Sequence, residues 1–175
     1  QADEVVHEKY LENIKNAAQT YLNDKNIDGL LFDYKHFYGS YDYLGTFANW
    51  YRKEIRVVRN RKGIYSFRDA QGFRKDANKK LIVKQIDAKI YHYGWVKAPE
   101  LMQRKQEDFP KLWHNDEWVG QHVAKVEEFD YSVIDSLALF EGTHPKVMQN
   151  RIAEKNWKFE YDISKSSLSL KEKPR

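Results

Sequence analysis

The 175-residue chain contains no cysteine, so disulfide bonds, thiolate metal sites and a cysteine nucleophile are all excluded. It also has no apolar run near the roughly 20 residues of a membrane-spanning helix. Its first ten residues, QADEVVHEKY, are acidic and lack an apolar core, so no signal peptide is visible. No glycine-rich phosphate loop and no HExxH or GxSxG pattern is present, which leaves hydrolases of those types unsupported.

Composition and charge leave two broad interpretations open. Hydrophobic residues make up 41% of the chain and charged residues 32%, as in a globular domain with a sizeable core. The net charge of +4 is spread along the chain. It indicates either a solvated surface of mixed charge or a surface that attracts a phosphorylated ligand or an anionic membrane. Twelve tyrosines and five tryptophans either stack on sugars or bases or simply pack. Because the basic residues form no single tract, we predict no nucleic-acid partner.

Hydrophobic periodicity predicts a chain of mixed helices and strands. Apolar residues recur at helical spacing over residues 8–22 and at period two over residues 29–38. The other predicted elements are strands over residues 54–59, 63–67, 81–86 and 88–93, a short helix over 46–51, and helices over 100–113 and 145–155. Pro99 and Pro145 mark the first turns of the last two helices, and Pro110 should kink or end the earlier one.

Polar side chains are set among the predicted strands between Arg52 and Trp95. They are Arg56, Arg59, Arg68, Asp69, Gln71 and His92. Polar groups placed in this way converge on one pocket when the strands assemble, which indicates the acceptor-side half of an enzyme. A guanidinium suits bidentate contact with phosphate, although arginines at alternating strand positions are as often solvent-facing.

Six blocks follow one another along the chain and carry a family resemblance. They are QADE, GLLFDYKHFYGSYDY, WYRKEIRVVRN, FRDAQGFR, IYHYGWV and FEGTHPKVM. In order and character they resemble the bacterial family-2 glycosyltransferases with the GT-A fold, over residues 1 to about 157. The resemblance implies an α/β fold, α+β in this portion, with a mixed sheet and flanking helices.

The resemblance also implies a domain organisation. Residues 1–160 would form the C-terminal portion of the GT-A domain, and residues 161–175 a flexible tail rich in Ser and Lys. The N-terminal, nucleotide-binding half of such an enzyme has no counterpart in this sequence. We therefore expect the isolated chain to be inactive by itself.

A divalent cation site is the first functional feature that the resemblance implies. The family's short acidic motif matches Gln1, Ala2 and Asp3, which places Asp3 at the position that ligates Mn²⁺ or Mg²⁺. Gln1 replaces the first acid of the motif, so it would hydrogen-bond the donor but add no charge to the metal. His92 resembles a further metal ligand from the C-terminal side, with a hydrogen-bonded core histidine as the alternative.

A general base and a substrate-binding surface complete the predicted site. Asp69 matches the carboxylate that takes the proton from the acceptor hydroxyl, although aspartate in RDAQG is also typical of a turn. Arg68 would keep Asp69 ionised or form a surface salt bridge with it. The expected substrate-binding residues are Gln1, Arg68, Gln71, Trp95 and Tyr41. For Trp95 and Tyr41 simple packing is the alternative.

Together these features predict a metal-assisted, inverting glycosyltransferase. It would move a sugar from a nucleotide-sugar donor to a hydroxyl of a carbohydrate or lipid-linked acceptor, in polysaccharide biosynthesis. The expected location is the cytoplasm, with peripheral association at the inner face of the membrane left open. The alternative is a non-catalytic binding or interaction domain derived from such an enzyme. The sequence predicts neither the sugar nor the oligomeric state.

Overall fold

The computed structural model describes residues 2–47, 50–68, 72–134 and 136–165. The strands are β1 (Glu4–Val6), β2 (Gly29–Tyr38), β3 (Tyr43–Gly45), β4 (Lys53–Val58), β5 (Ile64–Phe67), β6 (Gly72–Lys75), β7 (Lys79–Lys80), β8 (Val83–Trp95) and β9 (Leu137–Leu139). The helices are α1 (Leu11–Tyr21), α2 (Pro99–Asp108), α3 (Asp116–His122) and α4 (Gln149–Ala153). Sheets flanked by helices confirm the predicted α/β class in its coarse form.

The chain divides into two compact units, each of which is described by itself. Unit 1 comprises the described residues within 1–35, 49–92 and 144–146, and unit 2 those within 36–48, 93–143 and 147–175. Strands β2 and β8 contribute residues to both units. Within the described part of the chain, no helix combines the length and apolarity that crossing a membrane requires.

The sheet of unit 1 has the strand order β1, β8, β2, β4. Strand β1 runs antiparallel to β8 and places Glu4 opposite His92. Strand β4 runs antiparallel to β2, with a register shift between Leu30 and Leu31 that leaves Arg56 as an extra, unmatched residue. A bulge of this kind bends its strand and re-aims the side chain of the extra residue.

The core of unit 1 follows the period-two pattern of its two long strands. Side chains at alternate positions of β2 and β8 are buried, namely Leu30, Phe32, Ile86, Ala88 and Ile90. The predicted strands over 81–86 and 88–93 are one continuous strand, so their separation was wrong. Asp87, which lies between the two predicted strands, is exposed on the opposite side of β8 and does not interrupt the alternation.

The remaining elements of unit 1 are a helix and a small antiparallel sheet. A 3₁₀ turn at Glu8–Tyr10 leads into α1, which confirms the helix predicted over residues 8–22. Strands β5, β6 and β7 pair antiparallel in that order. The sequence predicted only β5 of these three strands. β6 and β7 are short, and a turn at residues 76–78 with positive φ angles joins them.

Unit 2 carries helices α2, α3 and α4. Its sheet contains the C-terminal ends of β8 and β2, and β3 and then β9 lie next to β2 in the strand order. Pro99 lies in the first turn of α2, and Pro110 lies in the 3₁₀ turn Phe109–Leu112 that ends it, as predicted. Helix α3 was not predicted; its N-cap is Asn115, whose side chain accepts a hydrogen bond from the Trp118 N–H at 2.9 Å. The described residues within 46–51 are not helical, contrary to the prediction.

Candidate functional site

Two residues predicted to bind a metal lie side by side in unit 1. Asp3 immediately precedes β1, and His92 lies on the neighbouring strand β8. The Asp3 Oδ2 and His92 Nε2 atoms are 3.4 Å apart, and the side chains are 38% and 14% exposed. The antiparallel pairing of β1 with β8 brings together two residues that are distant in sequence. The pair is therefore a carboxylate and an imidazole that solvent can reach.

The chemistry of this pair fits part of a divalent cation site. Carboxylate oxygen suits Mn²⁺ and Mg²⁺, and imidazole is also accepted by transition metals. Among the described residues, no group of three or more His, Asp or Glu side chains is arranged to hold a metal. Such ions commonly keep water or substrate phosphate in their coordination shell. Asp3 and His92 would thus supply two ligands, and phosphate oxygens and water the others.

The residue after Asp3 is held by a buried hydrogen-bond network. Arg56 donates through Nε to Glu4 Oε2 at 2.6 Å and through Nη2 to Oε1 at 2.8 Å. The Tyr34 hydroxyl donates to Glu4 Oε1 at 2.7 Å. The side chains of Glu4 and Arg56 are only 6% and 17% exposed. Both carboxylate oxygens are occupied, so this buried charge is compensated by a two-pronged ion pair and a hydroxyl.

The protonation states of the network follow from burial and hydrogen bonding. Burial opposes ionisation of Glu4, but the hydrogen bonds from Arg56 and Tyr34 outweigh it and lower the pKa of Glu4. Burial disfavours the charged form of Arg56 as well, but the Glu4 carboxylate raises the pKa of Arg56 above its usual value. Burial and the bond to Glu4 raise the pKa of Tyr34. At neutral pH Glu4 is an anion, Arg56 a cation and Tyr34 a neutral donor.

A second carboxylate lies on the other side of the same guanidinium. Glu54 Oε2 is 3.5 Å from Arg56 Nη1, and the Glu54 side chain is 13% exposed. Burial raises the pKa of Glu54, and the charge of Arg56 offsets part of that rise. The ring of Tyr34 also meets the ring of His92, with centroids 5.7 Å apart. We call these six residues the polar cluster: Asp3, Glu4, Tyr34, Glu54, Arg56 and His92.

Other residues predicted for the site lie elsewhere or outside the described chain. Gln1, Asp69 and Gln71 fall outside the described residues, so the general base stays a prediction. Arg68, the last described residue before Asp69, has a left-handed φ of 53°. Its guanidinium lies over the ring of Phe67, 5.4 Å from the centroid.

Two residues predicted to bind substrate belong to unit 2. Trp95 stacks on Tyr38 with a centroid distance of 5.9 Å, and the Lys105 ammonium lies 6.0 Å from its ring. Tyr41 is 6% exposed, and its hydroxyl donates to the Arg151 carbonyl at 3.4 Å. Burial raises the pKa of Tyr41. Tyr41 is therefore packed within unit 2, which was the alternative to a sugar contact, while Trp95 is half-buried.

Arg59 binds the end of a helix and so differs from Arg56. Its guanidinium donates to four backbone carbonyls, those of Tyr21, Leu22, Asp24 and Ile27. Cationic donors at this position bind the carbonyls at the C-terminal end of α1 and interact favourably with the negative end of the helix dipole. The phosphate contact considered for Arg56 and Arg59 therefore competes with protein acceptors at both residues.

Sequence reasoning did not find Glu4, Tyr34 or Glu54. The one available signal was Tyr34, a polar aromatic residue at a core-facing position of the period-two strand over residues 29–38. Comparison with known proteins finds no matching family model, curated protein or solved structure. The function is therefore inferred from the chemistry of the polar cluster together with the motif order of the chain.

Proposed function

We propose that this protein is a metal-assisted, inverting glycosyltransferase of the GT-A type, to which the chain contributes the acceptor-side portion. One observation carries the proposal: Asp3 and His92, assigned as metal ligands from separate sequence blocks, lie 3.4 Å apart on adjoining segments of unit 1. The Asp3 side chain is 38% exposed, so solvent reaches it. Two independent blocks of the resemblance thus converge on one accessible place.

In this proposal the residues divide the work of glycosyl transfer. Asp3 and His92 would hold a divalent cation, whose charge would stabilise the diphosphate leaving group of the donor. Asp69 would take the proton from the acceptor hydroxyl while its oxygen bonds to the anomeric carbon of the sugar. The bond between that carbon and the diphosphate oxygen breaks, and attack from the opposite face inverts the configuration. Glu4 is occupied by Arg56 and Tyr34, so it is not a metal ligand here.

Metal binding at Asp3 is the direct test of the proposal. We would titrate Mn²⁺ into the chain and follow free Mn²⁺ by electron paramagnetic resonance. Asp3→Asn should weaken Mn²⁺ binding by about tenfold or more, because one of two protein ligands loses its charge. In the full-length protein the same variant should also lose nucleotide-sugar turnover.

The matched control is Asp33→Asn in the same unit. Asp33 is a part-exposed carboxylate 3.9 Å from Lys53, and it also accepts a hydrogen bond from Gln85 at 3.1 Å. It lies on β2 outside the polar cluster, so its substitution should leave the Mn²⁺ affinity unchanged. Equal Mn²⁺ binding by wild type, Asp3→Asn and Asp33→Asn would remove the metal site and the support it gives to glycosyl transfer.

A further inference from the structure

We propose that Arg56 and Tyr34 are positioning residues for the metal ligand Asp3, acting through Glu4; this inference rests on the proposed function. Neither residue is a candidate ligand. Both bind the carboxylate of the residue that follows Asp3 in the chain, and together they occupy both of its oxygens. By holding the Glu4 side chain in place, Arg56 and Tyr34 would fix the position of Asp3 relative to His92.

Strand β1 needs such an anchor. It is only three residues long and lies at the edge of the sheet, where β8 is its one partner among the described strands. Terminal residues of a short edge strand fray unless they are tied down. Glu4 is the first residue of β1, and its buried ion pair ties the side chain as well as the backbone. The strand end next to Asp3 is therefore held by side-chain contacts.

The geometry at Arg56 is specific to a guanidinium. The bulge in β4 sets Arg56 apart from the regular pairing. From there its Nε and Nη2 reach the two oxygens of Glu4, while Nη1 donates to the Ile55 carbonyl at 3.0 Å. A lysine ammonium keeps the charge but is a single point, so it cannot reproduce this planar, two-pronged contact. Arg56→Lys thus alters the anchor with little change in charge.

The contacts that hold Glu4 act on the metal ligand Asp3 through the backbone. Consecutive Cα atoms are about 3.8 Å apart, so a shift of Glu4 passes directly to Asp3. Residues that orient metal ligands typically change metal affinity by about 10–100-fold when they are altered. His92 is placed by the central strand β8 and also meets the Tyr34 ring. Tyr34 therefore contacts both Glu4, which holds the ligand Asp3 in place, and the ring of the second ligand, His92.

The experiment compares Mn²⁺ affinity across matched variants of the chain, with free Mn²⁺ followed by electron paramagnetic resonance. Arg56→Lys should weaken Mn²⁺ binding by about tenfold, and Tyr34→Phe by a smaller factor. Arg59→Lys is the structural control, because Arg59 also uses several guanidinium donors but binds backbone carbonyls at the end of α1. It should lower the stability of the chain and leave the Mn²⁺ affinity unchanged.

The outcomes separate this inference from the proposed function. Loss of affinity in Arg56→Lys and Tyr34→Phe, with wild-type affinity in Arg59→Lys, supports positioning. If Asp3→Asn loses Mn²⁺ while Arg56→Lys and Tyr34→Phe bind as wild type, positioning is overturned and the metal site stands. If Asp3→Asn binds as wild type, both are overturned. Should circular dichroism show that Arg56→Lys is unfolded, Tyr34→Phe, which loses one hydrogen bond to Glu4, decides the matter.

Discussion

Asp28 is the most completely enclosed charged side chain described in unit 1, and its partners compensate that burial. The residue is 1% exposed. Its carboxylate accepts hydrogen bonds from the Arg61 guanidinium at 2.8 Å, the Lys75 ammonium at 2.5 Å and the Ile82 N–H at 2.7 Å. Burial opposes its ionisation, but the hydrogen bonds from Lys75 and Ile82 outweigh this effect and lower the pKa of Asp28. Asp28 thus joins the start of β2 to β6 and to the segment before β8.

Replacing Asp28 with asparagine should destabilise the chain strongly. The substituted amide would keep a hydrogen-bond acceptor but leave the Lys75 ammonium, whose side chain is 16% exposed, without its counter-charge. Breaking a buried ion pair from one side costs about 3 kcal/mol or more. The free energy of unfolding in urea should fall by about that amount, whereas the exposed pair lost in Asp33→Asn should cost under about 1 kcal/mol. Equal effects of the two variants would show that Asp28 is not a structural charge.

At the scale of elements, β2 and α2 were predictable from the sequence, whereas β6, β7 and α3 were not. Strand β2 was predicted at its observed bounds, because its alternation continues for ten residues. Helix α2 was predicted because Pro99 opens it. Strands β6 (GFRK) and β7 (KK) contain only one apolar side chain between them, so no apolar period is visible there. Helix α3 depends on the cap at Asn115, a local contact within a polar stretch.

The turn between β6 and β7 yields a prediction at the same scale. Three consecutive residues, Asp76, Ala77 and Asn78, have φ angles of 32°, 50° and 72°. Asp and Asn tolerate the left-handed region, but alanine suffers a steric penalty there of about 1–2 kcal/mol, more than the added chain entropy of glycine. Ala77→Gly should therefore raise the free energy of unfolding by about 0.5 kcal/mol, measured by urea denaturation.

A glycine placed in a regular strand supplies the comparison for this turn. Ala88 is fully buried in the middle of β8, where no positive φ angle is needed. Ala88→Gly should lower the free energy of unfolding by at least about 0.5–1 kcal/mol, because glycine weakens a strand interior. A loss of stability in Ala77→Gly as well would mean that the turn does not strain alanine.

At the scale of the whole molecule, the candidate site was predictable only in part. The Asp3 and His92 assignments came from the order of the sequence blocks, and strand pairing brings the two residues together. The anchor that Arg56 forms with Glu4 depends on a bulge in β4 and on contacts between strands distant in sequence. Alternation in KEIRVV cannot reveal a bulge, because the extra residue breaks the very period that is being read.

The polar cluster and Asp28 together predict how the chain responds to acid. The pKa values of Glu4 and Asp28 are lowered in the folded state, so their stabilisation is complete at neutral pH. It is lost as the pH falls below the usual pKa values, 4.5 for Glu4 and 3.8 for Asp28, and through the lower folded-state values. Glu54 acts in the opposite sense, because its raised pKa favours the protonated form in the folded state and offsets part of the loss. We expect the free energy of unfolding to decrease between about pH 5 and pH 3.

Two substitutions at the cluster should change that pH dependence in opposite directions. Urea denaturation would be measured from about pH 7 to about pH 3. Glu4→Gln should lower the stability at neutral pH and flatten its decline in acid, since the titrating carboxylate is gone. Glu54→Gln should steepen the decline of stability in acid. The Glu54 carboxylate binds a proton more readily in the folded state than in the unfolded state, and the variant lacks that carboxylate. Glu12→Gln, at a side chain 76% exposed, should follow the wild-type curve. If the free energy of unfolding declines in acid as steeply in Glu4→Gln as in the wild type, the pKa of Glu4 is not lowered by contacts of the folded chain.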